Sequence, residues 1–227
     1  MCKEFRATIC QEGSKKLNAK NAPLLIDDVI KKFGKPINFS GNCQDSQGLS
    51  SPLFKARQKE DRPSWQRSAV LVGIIEVSGI PNLVLTKRTQ KLHKHSGQIA
   101  FPGGKRETHD KSDEETAIRE AYEEIGLKPD DFTKLGELQF HYTATGFEIR
   151  PVVGLIHEGV EFTKNDNEVD EIFTVPLSFV IDPKNYVIIS KPFGSEKLSF
   201  YAISYKNYYI WGATAAMIRS LAERLSR

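Results

Sequence analysis

Apolar residues recur at two different spacings along the chain, which divide it into helical and extended segments. Near the N-terminus, apolar residues at helical spacing precede Gly34 and predict a short amphipathic helix. These residues are Leu24, Leu25, Val29, Ile30 and Phe33. Residues 1–22 are polar and without period, which predicts a disordered or loosely packed segment. Residues 35–66 are rich in Ser, Gly, Gln, Asn and Pro, which predicts a long surface connection.

The pattern changes at Arg67, where extended segments begin. An apolar run at 68–77 precedes Gly79-Ile80-Pro81-Asn82 and a second run at 83–86, which predicts a β-hairpin with that tetrapeptide as its turn. Further strands are predicted at 135–142, 148–156, 171–175, 186–189 and 199–203, and helices at 113–125 and 214–225. Because several strands separate the two helices, we expect a mixed α/β sandwich of the α+β type rather than a doubly wound sheet.

Composition and charge exclude some classes of protein. Of the 227 residues, 39% are hydrophobic and 27% charged, as in ordinary globular proteins. The net charge of +3, with basic residues spread along the chain, does not indicate nucleic-acid binding. We expect an N-terminal extension at residues 1–66, comprising the short helix and the surface linker, and one domain at residues 67–227.

The cysteines and the apolar segments indicate a location. Cys2, Cys10 and Cys43 lack C-x-x-C spacing, which favours reduced thiols over disulfides or a zinc site. The N-terminal residues lack the apolar stretch of a secretory signal, and no stretch approaches the ~20 apolar residues of a membrane helix. We therefore expect a cytoplasmic protein that does not cross a membrane.

The predicted helix at 113–125 concentrates the candidate chemistry. Ser112 and Glu115 have the spacing of a capping box, and Gly126 is a natural C-terminal stop. Beside an apolar stripe, one face presents three carboxylates, which belong to Glu120, Glu123 and Glu124. They repel one another, and a hard divalent cation would turn this repulsion into coordination because Mg²⁺ prefers oxygen ligands. The alternative is a solvated acidic face on which Arg119 forms salt bridges.

The segment around this helix resembles the Nudix box, G-x5-E-x7-R-E-U-x-E-E-x-G-U with U aliphatic. Residues 119–127 match its C-terminal end, and Gly103-Gly104 match its glycine end. The interval from Gly104 to Arg119 is one residue longer than in the general box, so the first acidic position has no unique match and Asp110 is the nearest candidate. Coenzyme A diphosphatases of this family carry the same longer interval, which favours that subfamily.

The resemblance implies a Nudix fold, in which a mixed β-sheet lies between helices and the box forms a loop–helix–loop. It implies Mg²⁺ or Mn²⁺ as cofactor, with Glu120 and Glu124 as main ligands and Glu123 as a further ligand or water-positioning base. Arg119 is expected to orient the glutamates through a salt bridge. The Gly104 carbonyl is a further candidate ligand, and Gly103 a position where the backbone approaches substrate closely.

Residues 83–104 are similar to the segment L-L-T-x-R-[SA]-x3-R-x3-G-x3-F-P-G-G of coenzyme A-cleaving Nudix enzymes. The matching residues are Leu85, Thr86, Arg88, Gly97, Phe101, Pro102, Gly103 and Gly104. Thr89 replaces Ser or Ala, and His93 replaces an arginine that would hold phosphate bidentately. We expect Arg88, Gly97, His93 and His95 to contact substrate in a cationic rim. The alternative for the rim is a solvated basic loop.

Later segments add weaker candidates. Glu148 and Glu168 lie beyond the box, where the family often recruits a further glutamate as ligand or base, and each is otherwise a surface residue. Residues 210–214, Ile-Trp-Gly-Ala-Thr, resemble a segment near the end of coenzyme A diphosphatases. We expect Thr214 to cap the final helix and Trp211 to pack in the core rather than to stack on adenine.

The function implied by the resemblance is hydrolysis of coenzyme A, acyl-coenzyme A or oxidised coenzyme A to 3′,5′-ADP and a phosphopantetheine product. Another nucleoside diphosphate derivative, such as ADP-ribose, or a nucleoside triphosphate is the alternative, which the histidine at position 93 leaves open. A catalytically silent Nudix binding domain ranks lowest because the chain keeps Arg119 and all three box glutamates. The expected partner is a small nucleotide substrate of the coenzyme A type, with a homodimer as an open possibility.

Overall fold

The computed structural model describes residues 24–34, 65–90, 96–143, 145–193 and 196–226. The predictions for residues 1–22 and for nearly all of the linker at 35–66 therefore concern residues outside the described ranges. So do those for His93 and His95.

The described residues form four helices and eleven strands. The helices are α1 (Ile26–Phe33), α2 (Asp113–Ile125), α3 (Leu177–Ile181) and α4 (Gly212–Ser226). The strands are β1 (Gln66–Val77), β2 (Ile80–Arg88), β3 (Ile99–Ala100), β4 (Gly103–Lys105), β5 (Phe132–Glu137), β6 (His141–Tyr142), β7 (Phe147–Ile156), β8 (Val169–Pro176), β9 (Tyr186–Phe193), β10 (Glu196–Tyr205) and β11 (Tyr208–Trp211). Single 3₁₀ turns lie at Pro129–Asp131 and Pro183–Asn185.

The larger sheet has eight strands and is mixed, with β1 at its centre. Strand β1 runs parallel to β7 from Gln66 opposite Phe147 to Ile75 opposite Ile156. It is antiparallel to β2 and β4 on its other edge. Strands β3 and β8 pair with β2, while β5 and β6 pair with β7. The predicted mixed sheet is confirmed.

Side chains of β1 alternate between two core layers, because successive residues of a strand point to opposite faces. Ala69, Leu71 and Ile75 pack with the apolar stripe of α2, which consists of Ala117, Ala121 and Ile125. Val70, Val72 and Ile74 join the other layer with α4 residues Ile218, Leu221 and Leu225. Helix α1 reaches this second layer through Val29, which is fully buried. The sheet is thus covered by helices on both faces.

The hairpin between β1 and β2 is confirmed, but its predicted turn is wrong. Val77 pairs with Ile80, so Ser78 and Gly79 alone form the loop and Pro81 already lies in β2. Both loop residues have positive φ, 53° and 76°, which is typical of a two-residue type I′ turn. This turn matches the right-handed twist of the strands, so the hairpin closes tightly.

Several predicted boundaries also differ. The strand predicted at 135–142 is interrupted after Glu137, where the Arg150 Nη1 atom donates to the Leu138 carbonyl at 2.9 Å. Strands β3, β4 and β11 were not predicted, because two to four residues are too few to display alternation. The final helix begins at Gly212 rather than at Thr214.

A second, three-stranded sheet has the order β11-β10-β9. Its inner face contributes Ile203 and Ile210, both fully buried, to the layer beneath α4. Its other face leaves Val187, Tyr209 and Trp211 exposed. None of the helices in the described part of the chain combines the length and apolar character that a membrane span requires.

Candidate active site

Helix α2 begins and ends where the sequence predicts. The Ser112 hydroxyl accepts a hydrogen bond from the Glu115 backbone N–H at 3.1 Å, which satisfies one exposed helix donor. The Glu115 carboxylate accepts from the Lys111 N–H, so the reciprocal bond of a capping box is shifted by one residue. Gly126 ends the helix with φ 71°, a conformation that favours glycine.

The apolar stripe of α2 positions its three glutamates differently. Burial of Ala117, Ala121 and Ile125 against the sheet draws Glu124 inside, where its side chain is 3% exposed. The Glu120 side chain is 15% exposed and that of Glu123 48%. The three carboxylates predicted to share one face therefore range from buried to largely solvated.

Each residue of the glycine pair packs against a different neighbour. A Cβ at Gly103 would lie 2.4 Å from the Ala69 carbonyl oxygen, so this position allows β4 to approach β1. A Cβ at Gly104 would lie 2.4 Å from Glu120 Oε2, so this position makes room for the carboxylate. The close approach predicted for the glycine pair is therefore made to β1 and to Glu120.

Arg119 holds the loop before α2 to the helix. Its Nε and Nη2 atoms donate to the two Asp110 carboxylate oxygens at 3.0 Å each, a bidentate pair. Its Nη1 atom donates to Glu120 at 3.0 Å and to Glu123 at 3.3 Å. Nη2 also donates to the Lys105 carbonyl at 2.9 Å. The predicted salt bridges to the glutamates are present, and the main partner of Arg119 is Asp110, the nearest candidate for the first acidic position of the box.

The Asp110 carboxylate accepts hydrogen bonds from several donors. Besides Arg119, it accepts hydrogen bonds from the Glu107 N–H at 2.9 Å and the Thr116 hydroxyl at 3.0 Å. The hydrogen bonds with Arg119 hold the pKa of this carboxyl well below its usual range, although burial opposes them. Asp110 is therefore an ionised group that fastens the loop.

The surroundings of Glu124 shift its pKa in the opposite direction to that of Asp110. Burial is the main reason that its pKa is raised to about 8, and the charges of Glu168 and Glu120 contribute to the same shift. The Arg88 guanidinium, 3.5 Å from Glu124 Oε1, and a backbone hydrogen bond with Gly103 only partly offset this. Burial also raises the pKa of Glu120. These carboxyls lack sufficient positive charge among the side chains that surround them.

The donor chemistry of this site fits a divalent cation. Within the described ranges, no three His, Cys, Asp or Glu side chains are already arranged around a metal position. Mg²⁺ does not require such a cage, because it usually binds through one or two carboxylates together with waters and substrate phosphates. Glu120 and Glu124 supply hard oxygen donors, and a cation between them would offset the charge that burial penalises.

The two late glutamates lie in different surroundings. Glu168 follows a loop that docks on the end of α2, where the Thr163 and Asn165 N–H groups donate to the Ile125 and Glu124 carbonyls. Its charge raises the pKa of both Glu120 and Glu124, so it lies near them. Glu148 instead accepts from the Tyr142 hydroxyl at 2.9 Å and pairs with Arg67 at 3.5 Å.

The upstream segment reaches the glutamates through Arg88. The Gly97 N–H donates to the Arg88 carbonyl at 3.1 Å, and the Arg88 N–H donates to the Gln98 carbonyl at 2.9 Å. Gly97 has φ 67°, and a Cβ there would lie 2.4 Å from the Gln90 amide. His93 and His95 lie outside the described residues.

Two predictions near the C-terminus are wrong. Trp211 ends β11 and is 39% exposed, so it is not a core residue. Thr214 lies inside α4, and its hydroxyl donates to the Ile99 carbonyl at 3.0 Å instead of capping the helix. Both errors have one cause, because β11 was not predicted: it extends to Trp211, and α4 follows it directly at Gly212.

Comparisons with known proteins find similar sequences and structures. The NUDIX domain family model matches residues 65–193. A protein from Pectobacterium atrosepticum named "Uncharacterized Nudix hydrolase NudL" is 40% identical over 167 residues, covering 73% of this chain and 86% of the relative. Its namesake from Yersinia enterocolitica is 38% identical over 188 residues, covering 81% and 96%. A solved MutT protein from Methanosarcina mazei aligns with 18% identity and a TM-score of 0.47, covering 74% of this chain and 97% of that one.

This chain belongs to the Nudix hydrolase family. It is an enzyme of the class that hydrolyses diphosphate bonds, and the predicted fold is confirmed. Nudix hydrolases generally use divalent metal ions and act on small molecules derived from nucleotides.

Proposed function

We propose that this enzyme hydrolyses the diphosphate bond of coenzyme A or a derivative, releasing 3′,5′-ADP and (acyl-)4′-phosphopantetheine. The observation that carries the proposal is the contact between Arg88 and Glu124, 3.5 Å apart. It joins the upstream segment that resembles coenzyme A-cleaving enzymes to the buried glutamate of the box. The one-residue-longer interval from Gly104 to Arg119 supports the same subfamily.

The proposed roles follow from the surroundings of each group. Glu120 and Glu124 are the main ligands of Mg²⁺ or Mn²⁺, with Glu123 as a further ligand or water-positioning base and the Gly104 carbonyl as an additional ligand. When bound, such a cation neutralises the diphosphate and activates a water molecule. Arg119 orients Glu120 and Glu123 while Asp110 fixes the guanidinium. Arg88, Gly97 and Gly103 line the approach of the substrate.

Of the two late glutamates, Glu168 is the better candidate for an extra ligand or base. Its charge acts on both Glu120 and Glu124, whereas Glu148 is engaged by Arg67 and a tyrosine hydroxyl. A Glu168→Gln variant that hydrolyses substrate as fast as the parent would remove Glu168 from the mechanism.

The decisive experiment is product analysis with purified protein, Mg²⁺ or Mn²⁺, and a panel of coenzyme A, acyl-coenzyme A, ADP-ribose and nucleoside triphosphates. We expect 3′,5′-ADP from a coenzyme A compound. Turnover of another substrate without release of 3′,5′-ADP from any coenzyme A compound would reject the proposal.

A different nucleoside diphosphate derivative remains the second candidate, because His93 stands where the resembling segment has an arginine. We predict that His93→Arg lowers the KM for coenzyme A several-fold, since a guanidinium binds phosphate bidentately and stays charged. Steady-state kinetics at neutral pH measures this. An unchanged KM and kcat would mean that position 93 does not contact phosphate.

Three further expectations stay predictions drawn from the sequence. They are the division of the chain at residues 66 and 67, the cytoplasmic location and the homodimer.

A further inference from the structure

An open cleft of about 680 Å³ lies at the end of β2, between the larger sheet and β11. Its size is in the range of small-molecule sites in proteins. Lys87 and Gln98 line the side that belongs to the larger sheet, while Asn207, Tyr209 and Trp211 line the opposite side. None of the roles assigned to the box glutamates uses this cleft.

One wall of the cleft is aromatic. Tyr209 and Trp211 alternate with Ile210 along β11, so they share one face of the strand while Ile210 is buried in the core. Tyr209 is 48% exposed and Trp211 39%. The Trp211 ring packs against Phe200 with centroids 5.4 Å apart, which restrains it without burying it. An accessible, restrained indole is a surface on which a flat ring stacks.

Several of the other groups that line the cleft are polar. Gln98 and Asn207 carry amides, which offer both hydrogen-bond donors and acceptors. Lys87 adds a cation that pairs with Asp170 at 3.4 Å, and Glu171 adds a carboxylate. Aromatic stacking surfaces beside groups that both donate and accept match the chemistry of a heteroaromatic base, which has π faces and a polar edge.

The cleft is joined to the glutamate site by backbone hydrogen bonds. The loop residues Gly97 and Gln98 line the cleft and are bonded to the backbone of Arg88, whose guanidinium lies 3.5 Å from Glu124. At this place β8 contains one extra residue, because Lys87 pairs with Glu171 and Arg88 pairs with Val169. Glu171 beside this bulge lines the cleft, and its carboxylate accepts a hydrogen bond from the Tyr208 hydroxyl. Lys87 in the cleft and Arg88 beside Glu124 are consecutive residues at the end of β2, so a ligand that reaches both places must pass around this end of the strand.

We propose that this cleft binds the nucleobase of the substrate, stacked on Trp211, while the diphosphate lies at Glu120 and Glu124. The inference rests on the proposed function only in requiring a nucleoside diphosphate substrate. The half of the substrate without the base then extends away from β11.

The test compares binding of ADP, which carries a nucleobase and a diphosphate, with binding of 4′-phosphopantetheine, the product half of coenzyme A that has no base. Isothermal titration calorimetry with the full-length protein measures each ligand separately. We expect Trp211→Ala to weaken ADP binding by roughly 5- to 150-fold, which is the usual contribution of one stacked base. Trp211→Phe should retain most of the affinity, and 4′-phosphopantetheine should bind all variants alike.

Val187→Ala is the matched control. Val187 is 50% exposed on the same face of the second sheet but does not line the cleft, so its loss should leave ADP binding unchanged. Tyr209→Ala, compared by its melting temperature, provides a second cleft variant in case Trp211→Ala fails to fold. Unchanged ADP affinity in the folded cleft variants, or a selective loss of 4′-phosphopantetheine binding, would overturn the inference.

Binding and turnover separate this inference from the proposed function. If coenzyme A is not hydrolysed but Trp211→Ala weakens ADP binding, the proposed function fails and the nucleobase site stands. If coenzyme A is hydrolysed and ADP binding is insensitive to Trp211, the nucleobase site fails and the proposed function stands.

Discussion

Asp110 and Glu124 are both nearly buried carboxylates beside α2, 6% and 2% exposed, yet their pKa values shift in opposite directions. Asp110 receives both arms of the Arg119 guanidinium, a hydroxyl and a backbone N–H, and its pKa lies well below the usual range. Glu124 has Arg88 at 3.5 Å, and burial raises its pKa to about 8. Folding thus satisfies one carboxylate and leaves the other short of positive charge.

The difference separates a group that stabilises the fold from one that is available to a ligand. A buried charge is tolerated when hydrogen bonds and an opposite charge replace the water it loses. Asp110 meets this condition within the chain. Glu124 does not, so we expect its contribution to appear in activity rather than in stability.

The largest expected effect is on activity, from Glu124→Gln. The amide keeps the shape of the side chain but cannot bind a cation as a carboxylate does. Losses of about 10²–10³-fold in kcat are typical when one charge-stabilising group is removed from an active site. Steady-state kinetics with Mg²⁺ and a thermal melt of the same protein measure activity and stability. Activity close to that of the parent would remove Glu124 from the metal site.

Asp110→Asn is expected to lower stability rather than activity. Loss of this charge leaves the Arg119 guanidinium without its bidentate partner, and we expect the free energy of unfolding to fall by about 3 kcal/mol. Urea unfolding measures this. Asp113→Asn is the control, because Asp113 is 16% exposed and pairs more loosely, with Arg106 at 3.4 Å and Arg150 at 3.6 Å, so about 1 kcal/mol or less is expected. Equal losses in both variants would contradict the special role of Asp110.

The sequence correctly predicted helix α2 and the positions of its glutamates. The limits of α2 depend on local signals, Ser112 before the helix and Gly126 after it, and both act as expected. The positions of Glu120 and Glu124 follow from helical spacing and the apolar stripe. Local rules therefore located the carboxylates.

The remaining partners depend on contacts between distant segments. Asp110 meets Arg119 only because the loop from Lys105 to Asp110 folds back on the helix, and the longer interval concealed this match. The proximity of Glu168 to Glu120 and Glu124 depends on the pairing of β8 with β2, which the pattern of apolar residues does not reveal. The exposure of Trp211 depends on a second sheet that contains a strand of four residues.

Gly103 and Gly104 allow an effect on stability and an effect on activity to be compared at neighbouring positions. Gly103→Ala places a Cβ 2.4 Å from the Ala69 carbonyl and 2.6 Å from the Val70 Cα, backbone atoms that cannot easily move. We expect about 2 kcal/mol of destabilisation from this overpacking, measured by urea unfolding. Gly104→Ala instead displaces the Glu120 carboxylate. We therefore expect activity to fall, while the free energy of unfolding decreases less than in Gly103→Ala. A larger loss of stability in Gly104→Ala than in Gly103→Ala would reverse these roles.

The smallest expected effect is the change with pH in the contribution of Asp110 to the free energy of unfolding. The folded-state pKa of Asp110 lies below its unfolded-state value of about 3.9, so its stabilisation is fully present above that pH and is lost as the pH falls below it. The parent and Asp110→Asn proteins should therefore differ by a constant free energy of unfolding near neutral pH. Below about pH 4 the difference should shrink by at most about 1.4 kcal/mol per pH unit. Urea unfolding at a series of pH values measures it, and a constant difference down to pH ~2.5 would mean that another group supplies the effect.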